Sequence, residues 1–327
     1  MMVLVVAGAA FAVSCLGTRA LIALLRRGAV LDVPNARSLH AVPTPRGGGI
    51  AVIGVSVIAW LALCAGGVMP MADGAIALAA AGLAIVSWID DLRGLSPALR
   101  LLAQIAAVVA GGWALPPGAI FQGWLPPGLD AVAGALLWVW FVNLFNFMDG
   151  IDGIDGSEAA AIGLGIVLVA CVGVAPGLGL ATPAAAIFGA VLGFLVWNWA
   201  PARIFLGDVG SIPLGYLLGF LLYALALRGE WQAALILPAY FLADASLTLL
   251  HRLLHGERVW QAHREHFYQR AVQRGLSHDA VVRQVIAADI VLIGCAWAST
   301  KGWGFAALGI AAVTVVVLLV SLGRGRA

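Results

Sequence analysis

The sequence predicts an all-α, polytopic integral membrane protein, and three observations carry that prediction. Hydrophobic residues make up 62% of the chain and charged ones only 10%, whereas soluble domains run at about 25% charged. Mean hydropathy is +1.02. Apolar runs long enough to cross a bilayer, about 20 residues each, recur along all 327 residues. The basic residues, finally, collect in alternate gaps between those runs.

Taken in order, the runs fall near 3–25, 48–67, 72–89, 98–114, 130–146, 157–174, 180–198, 212–227, 231–253, 284–300 and 302–322. That predicts about 10–11 transmembrane helices in a single domain, 1–327. The first run lacks a basic leader and a small-residue cleavage site, so it reads as a retained span. Arg26, Arg27, Arg37, Arg46, Arg93, Arg203, Arg252, Arg258, Arg264, Arg270, Arg274 and Arg283 lie in or beside alternate loops. The opposite loops hold Arg228 and Lys301 with Gly, Pro and Trp. The positive-inside rule makes the first set cytoplasmic, with the N-terminus outside and the Arg324/Arg326 end inside. Cys15, Cys64, Cys171 and Cys295 all sit in apolar runs without paired spacing, and read as small hydrophobes rather than disulfides or metal ligands. A net charge of +2 gives no sign of a nucleic-acid partner.

Against this background one stretch is dense in polar groups: Asn143-Leu-Phe-Asn146-Phe-Met-Asp149-Gly150-Ile-Asp152-Gly-Ile-Asp155-Gly156-Ser157. Two carboxylates about 5 Å apart repel by roughly 3 kcal/mol at an effective dielectric near 20. A divalent cation is the economical counter-charge, and the glycines allow the backbone close to a ligand. An EF-hand spaces its acids two apart, whereas here they are three apart. Repeated Asp-Gly also makes ordinary turns.

Further polar islands share the predicted cytoplasmic side. Pro43-Thr-Pro-Arg46-Gly47-Gly48-Gly49 joins a basic residue to a glycine-rich helix entry, which suits an anion or simply anchors a loop. Asp90-Asp91 closes a span; one acid can raise the other's pKa and make it a general base, or the pair is a solvated helix end. Phe205-Leu-Gly207-Asp208-Val-Gly210-Ser211 opens a span with an acid between glycines and an aromatic face that suits a base or ring. The longest loop carries His263-Arg264-Glu265-His266, two His three apart, which on a helix would share a face. With no third ligand in sight, phosphate binding is favoured over zinc. Asp244 lies within an apolar run, where an Asp costs about 2.5–3.5 kcal/mol.

Together these residues resemble the polyprenyl-phosphate N-acetylhexosamine-1-phosphate transferases, relatives of the enzyme that forms lipid I. The resemblance rests on Asp90-Asp91, the Asn143/Asn146/Asp149/Asp152 block and Phe205-x-Gly-Asp208-x-Gly-Ser211, with Asn198, Pro201-Ala202, the Pro-Thr-Pro-Arg-Gly-Gly loop and the His motif in support. It implies transfer of a sugar 1-phosphate from a UDP-N-acetylhexosamine to undecaprenyl phosphate, releasing UMP, at the cytoplasmic face of the bacterial inner membrane. It implies Mg2+, or Mn2+ in its place, held by Asp208 and Asn146. Asp90, with Asp91 and Asp149, would be catalytic, Asp90 taking the proton of the lipid phosphate. Arg46, Asn143, Gly150, Asp152, Asn198, Phe205, His263, Arg264 and His266 would bind substrate, with Phe205 on uracil. The lipid bilayer is the surrounding partner, and a homodimer is allowed. Two departures stand out: Asp155 replaces a small or apolar residue, and His-Arg-Glu-His replaces a triple-His run. The second resembles the branch that initiates O-antigen and capsule synthesis. An ion-coupled transporter and a CDP-alcohol phosphatidyltransferase are the rival readings. The first expects charges within the spans, and the second an Ala-Arg that Ile154-Asp155-Gly156-Ser157 does not supply.

Overall fold

The computed structural model describes residues 1–34, 39–40, 42–172, 179–258 and 263–324. Arg37 and Arg326, used in the topology argument, lie outside these. The chain forms α1 (Met2–Arg27), a two-residue strand β1 (Leu31–Asp32), a second β2 (Thr44–Pro45), α2 (Gly49–Ala65), α3 (Asp73–Arg93) and α4 (Pro97–Gly112). Next come α5 (Pro127–Met148), α6 (Ile154–Val172), α7 (Ala181–Asn198), α8 (Asp208–Leu227) and α9 (Trp231–Ile236). The last are α10 (Ala239–Leu254), α11 (Phe267–Gln273), α12 (His278–Ala298) and α13 (Gly304–Gly323). The protein is an all-α polytopic membrane protein, and each predicted span overlaps a helix.

Among the described residues, seven helical stretches are long and apolar enough to cross a membrane, counting His278–Gly323 as one of 46 residues; α2 and α4 are shorter apolar helices. The 46-residue stretch is a hairpin. A π-helical turn at Ser299–Trp303 contains Gly302 at φ 89°, and α12 folds back along α13 beyond it. The expected single span 231–253 is instead two helices, α9 and α10, broken at Leu237–Pro238. Proline has no N–H for the helical ladder, which accounts for the break. The unforeseen β1–β2 ribbon pairs Leu31 with Pro45 and Asp32 with Thr44, antiparallel.

Helix α8 is the hub. It is apolar around its whole circumference, as a helix must be that touches protein on every side, and nearly all its residues are buried. Helices α2, α3, α5, α6 and α9 surround it, while α1 packs on α7 and α2, and α12 on α6. Water provides no drive for helices to associate within a bilayer, so close approach of backbones at small residues supplies the contact. A methyl group added to Gly49 would overlap the backbone of Gly210, and one on Gly189 or Gly193 would overlap the backbone of α1. The first contact locks the start of α2 against the start of α8, where the functional residues gather.

Candidate functional site

A cleft of about 310 Å³ opens at the face where α3, α5 and α7 end and α2, α8 and α12 begin. Arg46, Asn146, Asp149, Gly150, Asp152 and Asn198 line it, as do Phe205, Asp208, His263 and Arg264. These residues are drawn from loops and helix ends far apart in the chain.

The loop entering α2 is pinned to the one entering α8. Phe205 N–H donates to the Pro45 carbonyl at 2.8 Å, and the Gly48 N–H donates to the Phe205 carbonyl at 2.8 Å. This side-by-side backbone pairing points Arg46 across the start of α8. Its Nη2 lies 2.7 Å from Asp91 Oδ1 and 2.8 Å from Asp208 Oδ1. Burial works against the Arg46 charge, but Asp91 and then Asp208 outweigh it and raise its pKa. Arg100, at the start of α4, mirrors this arrangement. Its Nη1 is 3.1 Å from Asp90 Oδ2 and 3.7 Å from Asp208 Oδ2. Asp208 is thus the meeting point of two cations and, through them, of both adjacent acids.

Asp90 and Asp91 themselves do not line the cleft. The buried Asp91 carboxylate accepts the backbone N–H of Val209 at 3.1 Å and of Asp208 at 3.4 Å, capping α8 from another helix. Asp90 Oδ1 accepts the Leu95 N–H at 2.5 Å. Asn143 also stays behind the wall, donating to Gln104 Oε1 at 2.6 Å and to the Val139 carbonyl.

The acidic block turns sharply after α5. Asn146 Nδ2 donates to Ser211 Oγ at 2.8 Å, which leaves the carbonyl oxygen as the amide's acceptor. Asp149 is the C-cap of α5. Burial pushes its carboxyl up to about 7, Arg46 pulls it down, and Asp208 and Asp91 push it further up. Gly150 has no room for a side chain, because a methyl there would overlap the Tyr268 hydroxyl. Asp152 Oδ2 accepts the Ala202 N–H at 3.0 Å, and Asn198 bridges the Gly153 N–H and the Ile204 carbonyl at 3.0 and 2.9 Å. Those two residues therefore fix the shape of the turn as well as lining the cleft. Phe205 and His40 form a T-shaped ring pair, 4.8 Å between centroids.

The His motif departs from expectation. His266 is the N-cap of α11 rather than part of a helix shared with His263, and it is buried against Asp244. His263 and Arg264 line the cleft and His266 does not. Burial, then the neighbouring His266 and Arg252, pushes the His263 imidazole down to about 4. Sequence reasoning missed Arg100 and His278, and it gave no role of their own to Asp32 and His40 of the first cytoplasmic loop; all four stand in or beside the cleft. Arg100 had a signal, a cation just inside the start of an apolar run. His278, whose Nδ1 lies 3.4 Å from Asp152 Oδ2, had none.

Among the described residues no three His, Cys, Asp or Glu side chains form a metal cage of their own. Mg2+ does not need one. It binds by one or two carboxylates with waters and substrate phosphates. Asp208 and the Asn146 carbonyl oxygen, both on the cleft, fit that mode of binding.

Fold and cleft define an integral membrane protein that brings paired acids and arginines together at one end of its helix bundle. Residues 74–226 match the model of glycosyl transferase family 4. The chain is 31% identical over 315 residues to the phospho-N-acetylmuramoyl-pentapeptide-transferase of Mycolicibacterium smegmatis, covering 80% of this chain and 87% of that one. It is 28% identical over 346 residues to the decaprenyl-phosphate N-acetylglucosaminephosphotransferase of Mycobacterium leprae, covering 93% and 86%. It is 27% identical over 292 residues to a probable undecaprenyl-phosphate N-acetylglucosaminyl 1-phosphate transferase of Bacillus subtilis, covering 82% and 78%. The chain belongs to glycosyl transferase family 4. That membership sets the transporter reading aside.

Proposed function

We propose that the protein transfers an N-acetylhexosamine 1-phosphate from a UDP-sugar to undecaprenyl phosphate, at the cytoplasmic face of a bacterial inner membrane. The observation that carries this reading is the convergence on Asp208 of Arg46 and Arg100, each also holding one acid of the Asp90-Asp91 pair, beside the acidic turn. The names of the relatives supply the substrate class. An oxygen of the lipid phosphate forms a bond to the sugar-bearing phosphorus. The bond from that phosphorus to the bridging oxygen breaks, and UMP leaves with the electron pair. Such a transfer asks little covalent help of a protein, only positioning and neutralised charge.

Asp208 and Asn146 would hold Mg2+ or Mn2+, which when bound supplies positive charge to the pyrophosphate oxygens. Arg46 and Arg100 orient the Asp208 carboxylate and offer N–H donors to phosphate oxygens. Asp91 holds the start of α8. Asp90, paired with Arg100 behind the cleft wall, is the acid assigned to the proton of the lipid phosphate, which must then approach from the Arg100 side. Phe205 stacks on uracil, Asp152 and the Gly150 backbone flank the nucleotide, and His263 and Arg264 face phosphate. The His-Arg-Glu-His loop supports a role in starting O-antigen or a related envelope polysaccharide, with a simple amino-sugar donor.

Purified protein in vesicles containing undecaprenyl phosphate, given radiolabelled UDP-sugars one at a time, tests this. Label should move to the lipid with UMP released in equal amount. Absence of lipid-linked label with every N-acetylhexosamine donor overturns the reading.

A further inference from the structure

Asp244 is an acid that the proposed chemistry does not use. It sits in α10 and is wholly buried, in a stretch that the sequence marks as apolar. Its carboxylate is nevertheless crowded with donors from two directions. From its own helix, the Tyr240 and Thr248 hydroxyls reach Oδ2 and Oδ1, each at 3.3 Å. From the loop that walls the cleft, the backbone N–H groups of Phe267 and Tyr268 donate at 3.1 and 3.4 Å, and His266 Nδ1 lies at 3.1 Å. The first N–H groups of a helix have no partner within it. Asp244 therefore caps α11 from a separate helix and holds the Nδ1 edge of the His266 ring.

Residues on both sides of this cap connect it to the cleft. His263 and Arg264 come immediately before it and form part of the cleft wall. Tyr268, in the first turn of α11, donates to the Phe147 carbonyl at 3.3 Å and fills the space against Gly150. One carboxylate thus anchors both the His263–Arg264 wall and the prop beneath the acidic turn. We propose that Asp244 is a positioning residue for the donor side of the cleft, acting through His266 and the start of α11 rather than by touching substrate. The donor assignment rests on the transferase reading above; the anchoring itself does not.

The experiment has two arms on the full-length protein. In hydrogen–deuterium exchange without substrate, Asp244→Asn, which puts an N–H against groups that need an acceptor, should speed exchange of residues 263–273 at least about tenfold. Exchange in α7 and α8 should stay as in the parent. In transfer assays the same variant should raise KM for the UDP-sugar at least tenfold and leave KM for undecaprenyl phosphate within twofold. A His266 pair serves if Asp244→Asn fails to fold. Asn puts an amide N–H near the Nδ1 position and Gln puts it near Nε2, so His266→Asn should lose less donor affinity than His266→Gln. Unchanged exchange in 263–273, equal rises in both KM values, or the reverse order of the His266 pair overturns the proposal. If the parent transfers no sugar phosphate, the transferase reading fails while the exchange arm still decides the anchoring.

Discussion

Replacing Asp149 by Asn should abolish transfer and at the same time make the resting protein more stable. In the fold, burial first, with Asp208 and Asp91 adding to it, raises this carboxyl from 3.8 to about 7. A carboxyl raised in this way favours its neutral form when folded. Its contribution to stability is complete below about pH 4 and is lost as pH climbs through 7. At about 1.36 kcal/mol per pH unit, the loss by pH 8 is up to about 4 kcal/mol. Asp149 keeps some contact with solvent through the cleft, so this is an upper bound. At an unfolding entropy of about 2.1 cal/mol/K per residue, it corresponds to a melting shift of about 6 °C for a chain of 327 residues. Asn keeps an acceptor oxygen but carries no charge. Tryptophan fluorescence melts in EDTA, where no cation screens the acids, should therefore put Asp149→Asn above the parent at pH 8. The gap should be about 2–3 kcal/mol larger there than at pH 5. A gap that does not change between pH 5 and 8, or a variant less stable at pH 8, refutes the reasoning.

Asp208→Asn should insert and fold but lose at least about a hundredfold in kcat, and transfer by the parent should stop in EDTA and return with Mg2+ or Mn2+; full activity of the variant in EDTA ends the metal assignment. Phe205→Leu should raise KM for the UDP-sugar about five- to hundredfold, matching the roughly 1–3 kcal/mol of base stacking, while Phe205→Tyr keeps it near the parent value. In one vesicle preparation offered both donors, a UDP-N-acetylhexosamine should beat UDP-MurNAc-pentapeptide by at least about tenfold in kcat/KM, or 1.4 kcal/mol. Equal use would remove the O-antigen branch and leave the chemistry standing. A cysteine placed at Ser277 should resist impermeant labelling in intact cells and react after lysis, and labelling from outside would invert the topology.

The helices were legible because a span must be apolar for about 20 residues, and nothing else in the chain competes with that signal. The break at Pro238 was visible too, but a mean over 231–253 hides one residue that cannot donate. Within the cleft, Asp208 and Asn146 could be picked out because polar groups beside a span are costly and so few, and Phe205 only because it stands three residues before Asp208. What Asp91 does was not legible. The N–H groups it caps belong to residues 117 positions away and beyond, and nothing local to Asp91 announces them. The role of His266 was hidden for a similar reason. A spacing of three suggests a shared helical face, yet the helix begins at Phe267, and the partner that buries His266 is 22 positions earlier. Long-range pairing of loop to loop has no periodicity, so sequence pattern cannot reveal it.

Because Arg46 finds Asp208 162 positions further along the chain, the order of synthesis matters. During insertion the first loop emerges early, and its arginine waits while α2 to α7 enter the bilayer. Only when the Phe205 loop arrives can the two backbones zip together and the start of α2 seat on Gly210. A translation product that stops before Asp208 thus has no cleft to close.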